Sequence, residues 1–378
     1  MKNKVSETYK FIFFLLIMIS CKQSYTPPAL NANKNYLVVD GFLNAGNDST
    51  VITLTRTRNL NTGDAQIIEG NAQLFVEGDA GYSLQLTNFG NGKYGSPNLN
   101  LLNNQNYRLK ILTSNGSSYI SDFTPVKSTP SIDSIVWSRS DSGVSIFLNT
   151  HDPSNNTRYY KWDFVETWEF HSFYETFLHY NPVDSSAYLS TVSIPHICWQ
   201  TSKSTNIIIA SSAKLSADII NLMPIETVPL NSPQIAVKYS ISIRQFGLTK
   251  EAFNYWGNLQ KSTEQTGTIF DAQPSQITGN IHCITNPNEP VLGFISAGKP
   301  TEKRIFVSNS EVLPWEYDQP CGEEFHRVDS LTYYIHKSNL PIKEIATNGI
   351  IQGYNFSNNF CVDCTIRNGT NIKPSFWQ

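Results

Sequence analysis

Apolar and polar residues alternate along most of this chain. Ile52 and Leu54 alternate with Thr53 and Thr55, Leu74 and Val76 with Gln73 and Glu77, and Tyr107, Leu109 and Ile111 with Arg108 and Lys110. A period of two predicts strands with one face buried. Asn115-Gly116 separates the last of these runs from another at 119–123, and the pair predicts a hairpin because both residues tolerate positive φ. About six short strands with turns between them predict an immunoglobulin-like sandwich over 36–127.

The segment 124–130, with Pro125 and Pro130, reads as a linker. A second strand series follows at 132–137, 144–148 and 159–170, with a turn at Asp141-Ser142-Gly143, and resembles the opening of a fibronectin-type sandwich. Residues 181–205 read as an irregular surface excursion and 216–223 as one or two helical turns. Ile235, Val237, Tyr239, Ile241 and Ile243 predict one face of a long strand over 235–246. The main helix is expected at 249–262. Thr249 is its cap, Glu251 suits the positive end of the dipole, and Leu248 with Phe253 forms a hydrophobic staple. Ala252, Phe253, Trp256 and Leu259 make its apolar face. Further strands are expected at 291–297 and 304–308. The predicted fold is mainly β, with two immunoglobulin/fibronectin-like sandwiches. The second, over 130–348, carries the helix, and a cysteine-containing tail at 349–378 wraps the surface.

The amino terminus breaks this pattern. Lys2, Lys4 and Lys10 precede an apolar run from Phe11 to Ile19, then Ser20 and Cys21. The run is shorter than the roughly 20 apolar residues of a membrane-spanning helix. It predicts a lipoprotein signal over 1–20, with lipid on Cys21 and a tether over 21–35. Several acyl chains on one residue give durable anchoring. The lysines and Glu7 of the signal account for +2 of the formal net charge of −3, leaving a mature chain near −5 without the basic patch that nucleic acid requires. Charged residues are only 16% and aromatics 12%, a mix that suits sheet.

Apart from Cys21, the cysteines are Cys198, Cys283, Cys321, Cys361 and Cys364. An exported chain meets an oxidising compartment, so disulfides are the expected fate. Five is odd, so at most two bridges form within one chain, and the pairing stays open. Cys283, Cys321, Cys361 and Cys364 also permit a four-cysteine zinc site, an arrangement that belongs mainly to reducing compartments. No metal or cofactor is expected.

Catalytic motifs are weak. Ser211-Ser212-Ala213-Lys214 fits S-x-x-K without a K-T-G partner. Glu166 and Glu169, three apart on one strand, point to opposite faces. No enzymatic activity is expected. The densest aromatic run is 159–180. Tyr160, Trp162 and Phe164 share one face and are assigned to the core. Trp168, Phe170, Phe173, Tyr174 and Phe177 are the candidate binding surface, since exposed rings stack on sugars or fill a partner's pocket.

Several segments together resemble a Bacteroidetes lipoprotein family, domain of unknown function 4249 (DUF4249). They include Tyr36-Leu37-Val38-Val39-Asp40-Gly41, Cys198-Trp199, Tyr239-Ser240-Ile241 and Leu248-Thr249-Lys250-Glu251-Ala252-Phe253-Asn254-Tyr255-Trp256. Others are Ile269-Phe270-Asp271, Pro274-Ser275, Gly279-Asn280-Ile281, Arg304-Ile305-Phe306, Cys361-Val362-Asp363-Cys364 and Lys373-Pro374-Ser375-Phe376-Trp377. The resemblance implies a lipid-anchored protein of the outer membrane, often encoded beside a TonB-dependent receptor and without an established reaction. The expected role is accessory or ligand-binding work with such a transporter in nutrient uptake. The rival is a structural or adhesive envelope protein with no small ligand. The leaflet reached stays open, because Lys22-Gln23-Ser24-Tyr25 carries no acidic cluster.

Overall fold

Alternation places apolar side chains on one face of each strand, and two such faces bury each other best as a sandwich. The structure, a computed structural model, describes residues 35–58, 66–181, 183, 186–264, 279–330, 333, 335 and 338–378. Cys21, the signal, most of the tether and the segments Ile269-Phe270-Asp271 and Pro274-Ser275 lie outside them.

In the first sandwich one sheet runs in the order Leu37–Gly41, Thr50–Arg56, Lys93–Ser96, Thr87–Gly90. The facing sheet is built around Asn106–Leu112, which pairs with Gln73–Gly78, Ser118–Ser121 and Thr124–Ser128. Leu37, Ile52, Leu54 and Tyr94 from the first sheet meet Leu74, Val76, Leu109, Ile111 and Tyr119 from the second. Asn115-Gly116 forms the expected turn, with Gly116 at φ 86° and the Thr113 N–H donating to Ser117 O at 3.0 Å.

Two expectations fail here. Residues 124–130 are not a free linker, because Thr124–Ser128 is a strand inside the second sheet. The boundary that placed 130–348 wholly in the second sandwich fails as well. Residues 279–299 return to the first: Ile281–Cys283 pairs with Ser118–Ser121, and Ala297–Lys299 runs parallel to both Thr124–Ser128 and Leu43–Asn44. Ile281, Cys283, Val291, Ile295 and Ala297 join the first core. The strand expected over 291–297 is therefore shorter and shifted, beginning only at Ala297.

The second sandwich packs a three-stranded sheet, Ile132–Ser140, Gly143–His151 and Ile219–Pro229, on a larger one in the order Ile197–Lys203, Tyr159–His171, Lys238–Gly247, Thr301–Ser308. Tyr160 and Trp162 are fully buried and Phe164 nearly so. Gly143 closes the Asp141-Ser142 turn at φ 137°, where a Cβ would lie 2.0 Å from Val228 O, so only glycine fits. Gln245, wholly buried, accepts from Trp162 Nε1 and donates to Pro130 O and Thr150 Oγ1.

The helical turns expected at 216–223 are instead the start of the strand Ile219–Pro229, bent where Leu222 takes φ 51°. The excursion at 181–205 contains the strands Ser186–Leu189 and Ile197–Lys203. The tail carries a further strand, Ile350–Asn358, between Glu324–Arg327 and Asn339–Thr347.

The helix spans Lys250–Glu264, with the Ala252 N–H donating to Thr249 Oγ1 at 3.2 Å. It buries Ala252 and Tyr255. Tyr255 was absent from the expected apolar face, and Leu259 stays half-buried. Phe42 and Phe294 of the first sandwich, Tyr159, Phe246 and Leu248 of the second, and Phe253 and Trp256 of the helix share one cluster. The helix thus closes the joint between the two sandwiches.

Candidate functional site

Beside that joint lies a cleft of about 580 Å³, and strand geometry explains its lining. Even positions of Tyr159–His171 face the core, so Lys161, Asp163 and Val165 face outward. The neighbouring strand opposes Asp163 with Arg244 and Lys161 with Phe246. The next strand opposes Arg244 with Glu302. Trp256 of the helix, the loop 203–207 and Asp40 of the first sandwich complete the walls. The loop is fixed to the helix: Ile207 N donates to Glu264 Oε1 at 2.7 Å, and Gln260 Nε2 donates to Ile207 O.

Of the six charged side chains lining the cleft, Arg244, Asp163 and Glu302 are committed to partners. Arg244 donates from Nε and Nη2 to the two oxygens of Asp163 at 3.1 and 3.0 Å. Burial works to lower the Arg244 pKa, and the bonds to Asp163 outweigh it and raise it. Glu302 accepts from Ser242 Oγ. Lys161 differs. Its Nζ lies 4.9 Å from the Trp256 ring centre and 5.2 Å from that of Phe246, and among the described residues no carboxylate forms a salt bridge with it. Burial lowers its pKa, Asp163 works against that shift, Arg244 adds to it and Asp40 opposes it. Ring faces attract a cation but leave its three N–H donors to another acceptor.

The expected binding surface is only partly assembled. Trp168 and Phe170 are buried in the second core, which corrects their assignment to a surface. Phe173 and Phe177 are exposed, and Tyr174 is half-buried with its ring 4.8 Å from that of Phe173. Trp256 lines the cleft instead. The sequence offers Trp256 only as part of the helix's apolar face, and no motif marks Lys161.

The cysteines pair as Cys198–Cys364 and Cys321–Cys361, while Cys283 is a free thiol buried in the first sandwich. This corrects its place among the disulfide candidates, and the pairing also breaks up the four-cysteine alternative. Ser211, the serine of the S-x-x-K match, is exposed and its Oγ accepts from Ala213 N at 3.1 Å, while the neighbouring Ser212 is fully buried and donates to Asp218. Glu169 is bonded to His171 and Trp377. Glu166 accepts from the Tyr239 hydroxyl at 3.0 Å.

A family model described as "Domain of unknown function (DUF4249)" matches residues 23–304. No curated protein matches the chain. Among solved structures, a two-domain fibronectin type-III segment from chicken tenascin is similar at 12% identity, covering 57% of this chain and 93% of its own, with a TM-score of 0.17. So low a score carries no argument, and the sandwiches rest on the strand pairing and cores described above.

Proposed function

The chain belongs to the DUF4249 family, and from that premise we propose that it is a lipid-anchored accessory protein of the outer membrane. Cys21 holds it in the envelope, and it works beside a TonB-dependent transporter, presenting a small polar ligand rather than transforming it. The supporting observation is the cleft at the joint. Ligand sites favour domain junctions and volumes of roughly 300–1,000 Å³, and about 580 Å³ lined by charges and one indole falls within that range.

The test is recovery of the full-length protein from outer membranes in mild detergent. A barrel protein should accompany it, and a Cys21→Ala chain should leave the membrane fraction. Recovery with no barrel partner would overturn the transporter reading.

A structural or adhesive role is the second reading. The exposed Phe173, Phe177, Leu189, Val192 and Phe360 favour it, since apolar side chains on a surface suit docking to another protein. A deletion strain separates the two, because only the accessory role predicts slower nutrient uptake.

A further inference from the structure

We propose that the junction cleft is a receptor for small carboxylates and that Lys161 is the residue that grips them. The proposal rests on the ligand-binding reading above and names its chemistry.

Arg244 is paired through Nε and Nη2 with Asp163, and Glu302 is already hydrogen-bonded to Ser242. Among the described residues Lys161 has no such partner. It is held between Phe246 and Trp256 at the wall of the cleft. Rings on its flanks strip water from the stem and fix the ammonium in place. They cannot accept its hydrogen bonds as an oxygen would. An ammonium with free donors in a partly desolvated cavity favours an anionic oxygen ligand, because charge-assisted hydrogen bonds are about twice as strong as neutral ones.

The remaining lining limits the rest of the ligand. Asp40, Asp163 and Glu302 balance Lys161, Lys203 and Arg244 in the same cleft, so the lining has no excess positive charge to hold a polyanion. One carboxylate fits, joined to donor groups facing the acids. Two sources share this chemistry. A short peptide offers its carboxyl terminus with an ammonium, and an acidic sugar offers its carboxylate with hydroxyls. Trp256 provides an apolar wall for either.

Calorimetric titration of the whole chain with dialanine, glucuronate, dialaninamide and glucose tests this. At least one acid should bind, with its carboxylate-free counterpart weaker by about tenfold or more. Lys161→Met should weaken the acid by about tenfold or more, and Lys161→Arg, which keeps the charge, should stay within about threefold. Circular dichroism checks that both variants are folded. Binding by dialanine alone assigns a peptide source, and binding by glucuronate alone an acidic sugar. Equal binding of acid and counterpart, unchanged affinity in Lys161→Met, or no heat from either acid at about 10 mM overturns the proposal. Equal binding of the neutral compounds would still leave the ligand-binding reading standing, whereas loss of the barrel partner would leave the carboxylate site untouched.

Discussion

Cys198, on a strand of the second sandwich, is bonded to Cys364 in the tail across 166 residues of sequence. Both residues are fully buried, so the bridge is part of the core it closes. It is reinforced by reciprocal backbone bonds between Trp199 and Thr370 and by Trp377 Nε1 donating to Glu169 at 3.0 Å. Replacing Cys198 and Cys364 by alanine should cost about 2–4 kcal/mol of stability. Loop-closure entropy makes that about 1 kcal/mol more than the loss of Cys321–Cys361, which closes only 40 residues. Urea unfolding of the two double variants under oxidising conditions checks the order.

The first sandwich needs residues 279–299. A fragment of residues 35–128 should fail to fold, and fusing 279–299 to it should restore cooperative unfolding. Within the whole chain, Ile295→Ala should cost about 3 kcal/mol, since Ile295 is fully buried in the first core. Hydrogen exchange of the strands Leu37–Gly41 and Asn106–Leu112 reports the loss.

Asp152 sits in a loop of donors. It accepts from the N–H groups of Ser154, Asn156 and Thr157 and from Ser154 Oγ, at 2.6–3.0 Å. Burial alone would raise its pKa, but the Ser154 and Thr157 bonds prevail and bring it down to about 2. A depressed carboxyl contributes stability that is present above its ordinary value and is lost as pH falls through the folded one. The loss therefore runs from about pH 4 to pH 2. Asp152→Ala should cost about 2–3 kcal/mol at neutral pH and flatten the acid limb of a thermal-stability profile.

Glu166 and Glu226 show the opposite sign. Burial raises both pKa values, and Glu226 raises that of Glu166 further against the lowering bond from Tyr239. The folded state then holds protons that the unfolded state has released, so stability falls as pH rises above the ordinary glutamate value. Glu226→Gln should stabilise the protein at pH 7 by no more than about 1 kcal/mol after solvent screening. It should also reduce that slope, as seen in melting temperatures between pH 4.5 and pH 7.

The sheets were legible because alternation is a local signal. Tyr160, Trp162 and Phe164 face the core as their spacing requires, and both glycine turns close where the sequence places them. Ile219–Pro229 was missed because Leu222 and Pro224 interrupt the period, and the ladder absorbs them as register shifts. Trp168 and Phe170 lie at the far end of a strand longer than usual, and that end stays covered because the second core extends to Cys198, Cys364 and Trp315 beside them. The cleft was hidden for another reason. Asp40, Lys161 and Trp256 are far apart in sequence and meet only when three elements pack.

The late return of residues 279–299 also sets a timetable. Translation runs from the amino end, so the first body waits for Lys299 before its last partners exist. At usual elongation rates that delay is on the order of ten to thirty seconds. Through that interval the ribbon Thr124–Ser128 has an open flank, and such flanks recruit foreign chains. Until Lys299 is in place, the half-built sheet stays open to mispairing along that edge.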